Sequence, residues 1–355
     1  MKRAGDLWGH VTSFENLVKA AHAAAAGKRR RPDVAAFQLN LEGELLQLRR
    51  ELVNRSYRPG AYRTFTVQDP KPRHISAAPF RDRVVHHAFT RIVEPIFERR
   101  FSENSFACRR GFGTHRALER AKEGARLYPY VLKCDVRKYF ASIDHEILKG
   151  QLAGVVKCRP TLELAAKIID GSNEQEPVVS YFPGDDLFTP FERRRGLPLG
   201  NQTSQFLSNV YLDALDHFVI GEFGPGVYAR YVDDVVVFDD SKDRLREILH
   251  AVRGFLLTLR LDLHAGKSRI HRTADGVSFL GWRVFRERCR LDRGNVARFR
   301  RRMRTMERDS TRGAMALEDI QQRVQAWIAH AAHGNTWKLR EGLLAQFAFT
   351  EGRAV

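Results

Sequence analysis

Val227-Tyr228-Ala229-Arg230-Tyr231-Val232-Asp233-Asp234-Val235-Val236-Val237-Phe238 decides how this 355-residue chain is read. Two β-prone runs flank an Asp-Asp pair, the pattern of a hairpin with carboxylates at its tip. Side chains alternate along a strand, and a tight turn can aim neighbouring carboxylates at one exposed spot. Such a spot suits Mg²⁺, which takes one or two carboxylates together with substrate phosphates. Asp is also a common turn former. Tyr231–Asp234 alone divides evenly between the two readings, and the rest of the chain has to separate them.

Charge narrows the field. Lys and Arg total 60 against 42 Asp and Glu, a formal net charge of +18 with a pI near 10.1. That excess exceeds ordinary solubility needs and points to a polyanionic partner, most simply nucleic acid. A membrane surface is the competing polyanion, but no apolar run approaches the ~18 residues that span a bilayer. Met1–Asp6 lacks the apolar core of a signal peptide, and no membrane partner is expected. Cys108, Cys134, Cys158 and Cys289 show no paired metal-ligand spacing and read as free thiols of a reducing, cytoplasmic compartment. A hydrophobic content of 43% is enough for a proper core.

Outward from the hairpin, the pattern is mixed. Phe14, Leu17, Val18 and Ala21, then Phe37, Leu41, Leu45 and Leu48, recur at helical spacing, separated by the basic connector Gly27–Pro32. Tyr62–Val67 reads as a strand, Asp69-Pro70-Lys71-Pro72 as a turn and Arg73–Ser76 as the returning strand. A helix is predicted over 80–100, a strand over Tyr130–Val136, and helices over about 144–152 and 161–170. Residues 171–195 read as irregular. A helix begins after Gly200, another covers about 243–260, short strands cover about 268–291, and the remainder is helical and strongly basic. Strands with interleaved helices, then a helical tail, give an α+β class. Asp135 closes its strand about a hundred residues before Asp233. A lone Asp there is ordinarily a helix N-cap, yet carboxylates from two strands are also the components of a two-metal phosphoryl-transfer site.

Six segments in order resemble the motifs of reverse transcriptases. They are Arg73-His74-Ile75, Arg109–Ala117, Asp135–Ile143, Gly196–Gln205, Tyr231–Asp234, and the pair Leu259–Lys267 with Phe279-Leu280-Gly281-Trp282. The resemblance implies a right-hand polymerase with a helical N-terminal extension over 1–60 and fingers over 61–130. It implies a palm over 131–285, interrupted by a fingers insertion at about 158–195, and a basic helical thumb over 286–355. The implied activity is RNA-directed DNA synthesis with two Mg²⁺ ions, for which Mn²⁺ can substitute. Asp135, Asp233 and Asp234 are the implied metal ligands, with Val136 among the metal-contacting residues, and Lys267 is the implied general acid at the pyrophosphate, against the alternative of an exposed lysine.

Arg73 would meet the triphosphate through paired hydrogen bonds, against the alternative of a solvated surface arginine. Phe140 would exclude a ribose 2′-OH, against that of a core ring. Gly200 would let backbone approach the nascent base pair. Gly281 and Trp282 would form a primer grip, with Trp282 packed beneath. Arg109 and Arg110 would touch template phosphate or sugar, against the alternative of simple surface charge, and Arg298 and Arg301 of the tail would contact phosphate. Trp327, Ile328, Trp337, Leu339, Leu343 and Leu344 are predicted to pack the thumb.

Leu199 and Gln205 depart from the broad family, which has Gln and Pro there. The segment Leu199–Gln205 is similar to the variant in diversity-generating retroelements, implying a bacterial or phage enzyme that miscopies template adenines. An amide at 199 could hydrogen-bond the incoming nucleotide and punish poor geometry, and an aliphatic side chain offers no such donor. That group implies a structured RNA template, a primer or cDNA strand, dNTPs and a small basic, oligomeric accessory protein. No maturase, RNase H or nuclease segment is visible after the thumb. The alternatives are an antiphage-defence, retron-like or group II-like reverse transcriptase, and a non-catalytic RNA-binding scaffold.

Overall fold

The computed structural model describes residues 2–68, 72–172 and 176–349. The turn expected at Asp69-Pro70-Lys71 lies outside them. The chain forms two compact units.

The first unit, Met1–Arg110, Asp135–Phe223 and His250–Ala265, is mostly helical. Ser13 starts the helix Phe14–Ala25 by accepting a bond from the Asn16 N–H at 3.2 Å, satisfying an orphan donor of the first turn. This helix buries Leu17, Ala20, Ala21 and Ala24, and its small side chains admit the helix Phe80–Glu98 closely. Asn16 joins the two helices, its Nδ2 donating to the Ala88 carbonyl at 3.0 Å. The basic connector runs into Pro32, first residue of the helix Pro32–Leu39, where a missing N–H costs nothing. The single helical run expected over Phe37–Leu48 is broken at Asn40 (φ −121°, ψ 41°), and a second helix covers Leu41–Val53.

The strands β1 (Arg63–Gln68) and β2 (Pro72–Ala77) form an antiparallel hairpin in this unit, with β1 exposed along its length. The longest helix, Gln202–Phe223, is buried on several sides, as an element apolar nearly all round must be. Residues 176–195 are irregular apart from the short helix Thr189–Glu192. Arg193 anchors them through ion pairs to Asp185 and, at 3.4 Å, to the buried Asp144.

The second unit comprises Gly111–Cys134, Gly224–Leu249 and Gly266–Val355. Its main sheet contains β3 (Tyr130–Asp135), β4 (Val227–Tyr231), β5 (Asp234–Asp239) and β6 (Arg269–Arg272) in the order β4-β5-β3-β6. The hairpin β4–β5 is antiparallel, with Tyr231 opposite Asp234. A helix over Thr114–Leu127, which the sequence reading passes over, covers this hairpin with Ala117, Leu118, Ala121 and Ala125 buried. Gly124 lets it sit close: a Cβ there would stand 2.4 Å from the Phe238 ring.

A second sheet, β7 (Val277–Phe279), β8 (Trp282–Val284) and β9 (Cys289–Leu291), precedes the helices Arg293–Thr311, Leu317–Ala331 and Trp337–Leu344. Those helices share a core of Phe299, Met303, Met306, Ile320 and Leu343, and Trp327 stacks on Phe299 at 3.8 Å and 3°. Trp337 does not join that core. It is 69% exposed, correcting the expectation that it packs the bundle.

Candidate active site

The Asp233-Asp234 hairpin is held from below. Val227–Arg230 and Val235–Asp239 are buried. Arg230 is fully buried, and its guanidinium donates to the Val232 carbonyl at 3.1 Å, bracing the turn from within. The Thr114 and Tyr231 hydroxyls are hydrogen-bonded at 3.2 Å. Val232 takes φ +58°, a region hairpin turns usually give to Gly or Asn. A β-branched residue there costs about 1–3 kcal/mol, and such strain persists where the surroundings over-determine it, commonly at functional sites.

Positive charge already sits at the tip. Lys133 of β3 pairs with Asp234 at 3.2 Å and donates to the Ser278 carbonyl at 2.9 Å. β3 lies next to β5 in the sheet and ends at Asp135. The chain beyond Asp135 is tied down: its carbonyl accepts from the His264 N–H at 2.7 Å, and Val136 bridges Leu263. Among the described residues no three carboxylate, imidazole or thiol groups stand close enough together to hold a metal ion. The donor set itself is carboxylate oxygen, which is what Mg²⁺ takes. Lys267 is exposed in the turn before β6.

Two of the expected nucleotide-contacting positions, Leu199 and Phe140, are held by backbone bonds within the first unit. The Ser76 N–H of β2 donates to the Leu199 carbonyl at 3.1 Å, and the Leu197 N–H to the Phe140 carbonyl at 2.8 Å. Gly200, at φ +110°, has its missing Cβ only 3.0 Å from Ile75 Cγ2, so glycine here serves both the turn and the approach of β2. Arg73 is exposed on the same strand, opposite Val67. Phe140 is half-buried, edge-on to Tyr139 at 5.5 Å. Gln205 is exposed on the first turn of the helix Gln202–Phe223.

Sequence reasoning missed the polar atoms beneath this loop. Asn201 is 3% exposed, yet among the described residues neither atom of its amide has a hydrogen-bond partner, and the Ser204 hydroxyl is in the same condition. Buried polar atoms without partners are costly, and each calls for an explanation. The signal was available in Asn201-Gln202-Thr203-Ser204, a polar run opening an otherwise apolar helix.

The expected nucleic-acid contacts divide. Arg110 and Arg301 are exposed. Arg109 is buried, paired with Glu98 at 2.9 Å and donating to the Ser102 and Ser105 carbonyls at 2.6 and 2.8 Å. It braces its own loop, which corrects the template contact expected of it. Trp282 is fully buried, with Gly334 leaving room for its ring and His330 tilted against it at 5.2 Å. Its indole cannot reach a nucleic acid, and only the packing half of its expected role holds. Gly281, at φ +80°, gives its close approach to Asn295, whose Nδ2 donates to its carbonyl at 2.8 Å. Arg298 is half-buried and bonded to Asn295 Oδ1.

Around Trp282, His115 Nε2 lies 3.2 Å from His330 Nδ1 and stacks on His333 at 3.5 Å. Burial first, and then repulsion from His333 on His115 and from His115 and His333 on His330, hold both below the ordinary histidine range.

A buried hairpin carrying two carboxylates at its turn is an arrangement that nucleotide-polymerising enzymes use. The chain belongs to the reverse transcriptase (RNA-dependent DNA polymerase) family, whose sequence model matches residues 67–284. It is similar to Protein YkfC of Escherichia coli, with 26% identity over 294 residues, 72% of this chain and 74% of that protein. It is also similar to the group II intron-encoded protein LtrA of Lactococcus lactis, at 25% identity over 50% of this chain and 28% of LtrA. Nuclear intron maturase 1 of Arabidopsis thaliana is 32% identical over 96 residues, 27% of this chain and 14% of that protein. The chain therefore spans about three-quarters of YkfC and under a third of these two intron proteins. No helix among the described residues is long and apolar enough to cross a membrane.

Proposed function

We propose that this chain copies a structured RNA into cDNA, and that it does so with low fidelity at template adenines. The observation that carries the polymerising reading is the Asp233-Asp234 tip of a buried hairpin, where Asp234 already pairs with a cation, Lys133. In this reading Asp135, Asp233 and Asp234, together with Val136, would hold Mg²⁺ or Mn²⁺. The bound metal supplies Lewis-acid stabilisation of the attacking and leaving oxygens.

The protein's own groups do the rest. Arg73 fixes the triphosphate oxygens, Phe140 closes the space a 2′-OH would need, and Lys267 holds the proton that the pyrophosphate accepts. Leu199 rests on the hairpin that carries Arg73, and it brings no hydrogen-bond donor to the nascent pair. Gln205, exposed a turn and a half further on, lies on the same loop-and-helix segment. Arg110, Gly281, Arg298 and Arg301 are read as holding the primer-template duplex. The division into N-terminal extension, fingers, palm and thumb, the cytoplasmic setting and the basic accessory partner belong to the same reading.

A group II-like role is the second reading. It is favoured by the similarity to LtrA and to intron maturases. Sequencing cDNA made by the wild type and by Leu199→Gln separates the two. Adenine-specific errors that fall at least several-fold in the variant support the mutagenic reading. Low, equal error rates at all four template bases favour the intron-like one.

A further inference from the structure

We propose that the C-terminal helices carry a second nucleic-acid site, a cleft that holds an unpaired stretch of template RNA with a base stacked on Trp337. The cleft, about 950 Å³, lies between the start of the helix Arg293–Thr311 and the helix Trp337–Leu344. Arg290, Arg293, Arg300, Lys338 and Arg340 line it, and among the described residues no carboxylate does. Among the described residues none of the five forms an ion pair. The Nε atoms of Arg300 and Arg340 are buried without hydrogen-bond partners. Cations crowded in a concave wall without counter-charge focus a positive field on whatever enters.

Trp337 supplies the second half of the site. It is 69% exposed although the Arg340 guanidinium lies 5.4 Å from its ring centroid. Trp327, ten residues earlier, is stacked on Phe299, so the bundle does pack an indole where packing is its role. A cationic groove that tracks phosphates, with an aromatic face for a base, is the combination that holds single strands. A duplex keeps its base faces occupied and cannot use Trp337 along its length. The template is the strand that is unpaired outside the product duplex, and choosing it as occupant rests on the polymerising reading above. An acidic protein segment would satisfy the arginines but would not respond to removal of bases.

The test is fluorescence anisotropy with the full chain, in EDTA and without nucleotide, so that it reads the cleft whether or not the chain polymerises. The probes are a labelled 12-nucleotide oligouridylate and the same ribose-phosphate chain without bases. The wild type is expected to bind oligouridylate about tenfold more tightly than the abasic strand. Trp337→Ala abolishes that preference and Trp337→Phe keeps most of it. Arg290→Glu with Arg293→Glu weakens both probes more than tenfold. Equal binding of the two probes by the wild type, or a preference that survives Trp337→Ala, overturns the proposal. An acidic peptide that binds more tightly than oligouridylate also overturns it.

Discussion

Two of the molecule's hairpins, β4–β5 and β1–β2, are of similar length and opposite burial. β4–β5 is buried on both strands down to a fully buried Arg230, whereas β1–β2 exposes all of β1 and the first half of β2. The first has a helix packed against it and a strained turn braced from inside. The second leaves Phe65 and Val67 46% and 42% exposed and touches the loop at Leu199 through one backbone bond near its base. A metal seat must not move, because misplacing a reacting oxygen by an ångström is costly. A group that meets and releases each nucleotide needs an arm with few buried contacts, and such arms come from the low-stability end of a structure. On the proposed function, chemistry belongs to the buried hairpin and substrate handling to the exposed one.

Substitutions break or sharpen that contrast in descending size. Asp135→Asn, at the end of the strand beside the buried hairpin, is expected to lower RNA-templated primer extension by about 10³-fold or more, with a melting temperature within a few degrees of the wild type. Gly124→Val drives a side chain into the Phe238 ring that supports β5, and is expected to cost about 1–3 kcal/mol in denaturant unfolding. Arg73→Ala on the exposed hairpin should raise the KM for dNTP about tenfold, with kcat and stability nearly unchanged, a signature of lost ground-state binding. Val67→Thr on the same hairpin should move stability by less than about 0.5 kcal/mol. If Val67→Thr cost as much as Gly124→Val, the two hairpins would not differ as described.

Much of this was legible in the sequence, and the exceptions share a cause. β4–β5, the helix Gln202–Phe223 and the helix Lys242–Thr258 were readable because their apolar patterns are continuous and local. The helix Thr114–Leu127 is harder to see because a sequence motif overlaps its start, although Ala117, Leu118, Ala121 and Ala125 carry the helical spacing. Arg109 looked like a surface charge because its partners, Glu98 and two carbonyls, are chosen by a loop conformation that no local pattern encodes. Trp327 and Trp337 are chemically identical, and only the tertiary position of Phe299 separates the packed ring from the exposed one. The partnerless amide of Asn201 was invisible for the same reason.

The most direct test of the central claim is single-turnover primer extension on an RNA template with dNTPs and Mg²⁺, comparing the wild type with Asp233→Asn while RNA binding is followed in parallel. The expected result is extension by the wild type and none by the variant, with RNA affinity retained within a few-fold. Extension that persists in Asp233→Asn, or a wild type that binds RNA but adds no nucleotide, would contradict the assignment of chemistry to the buried hairpin.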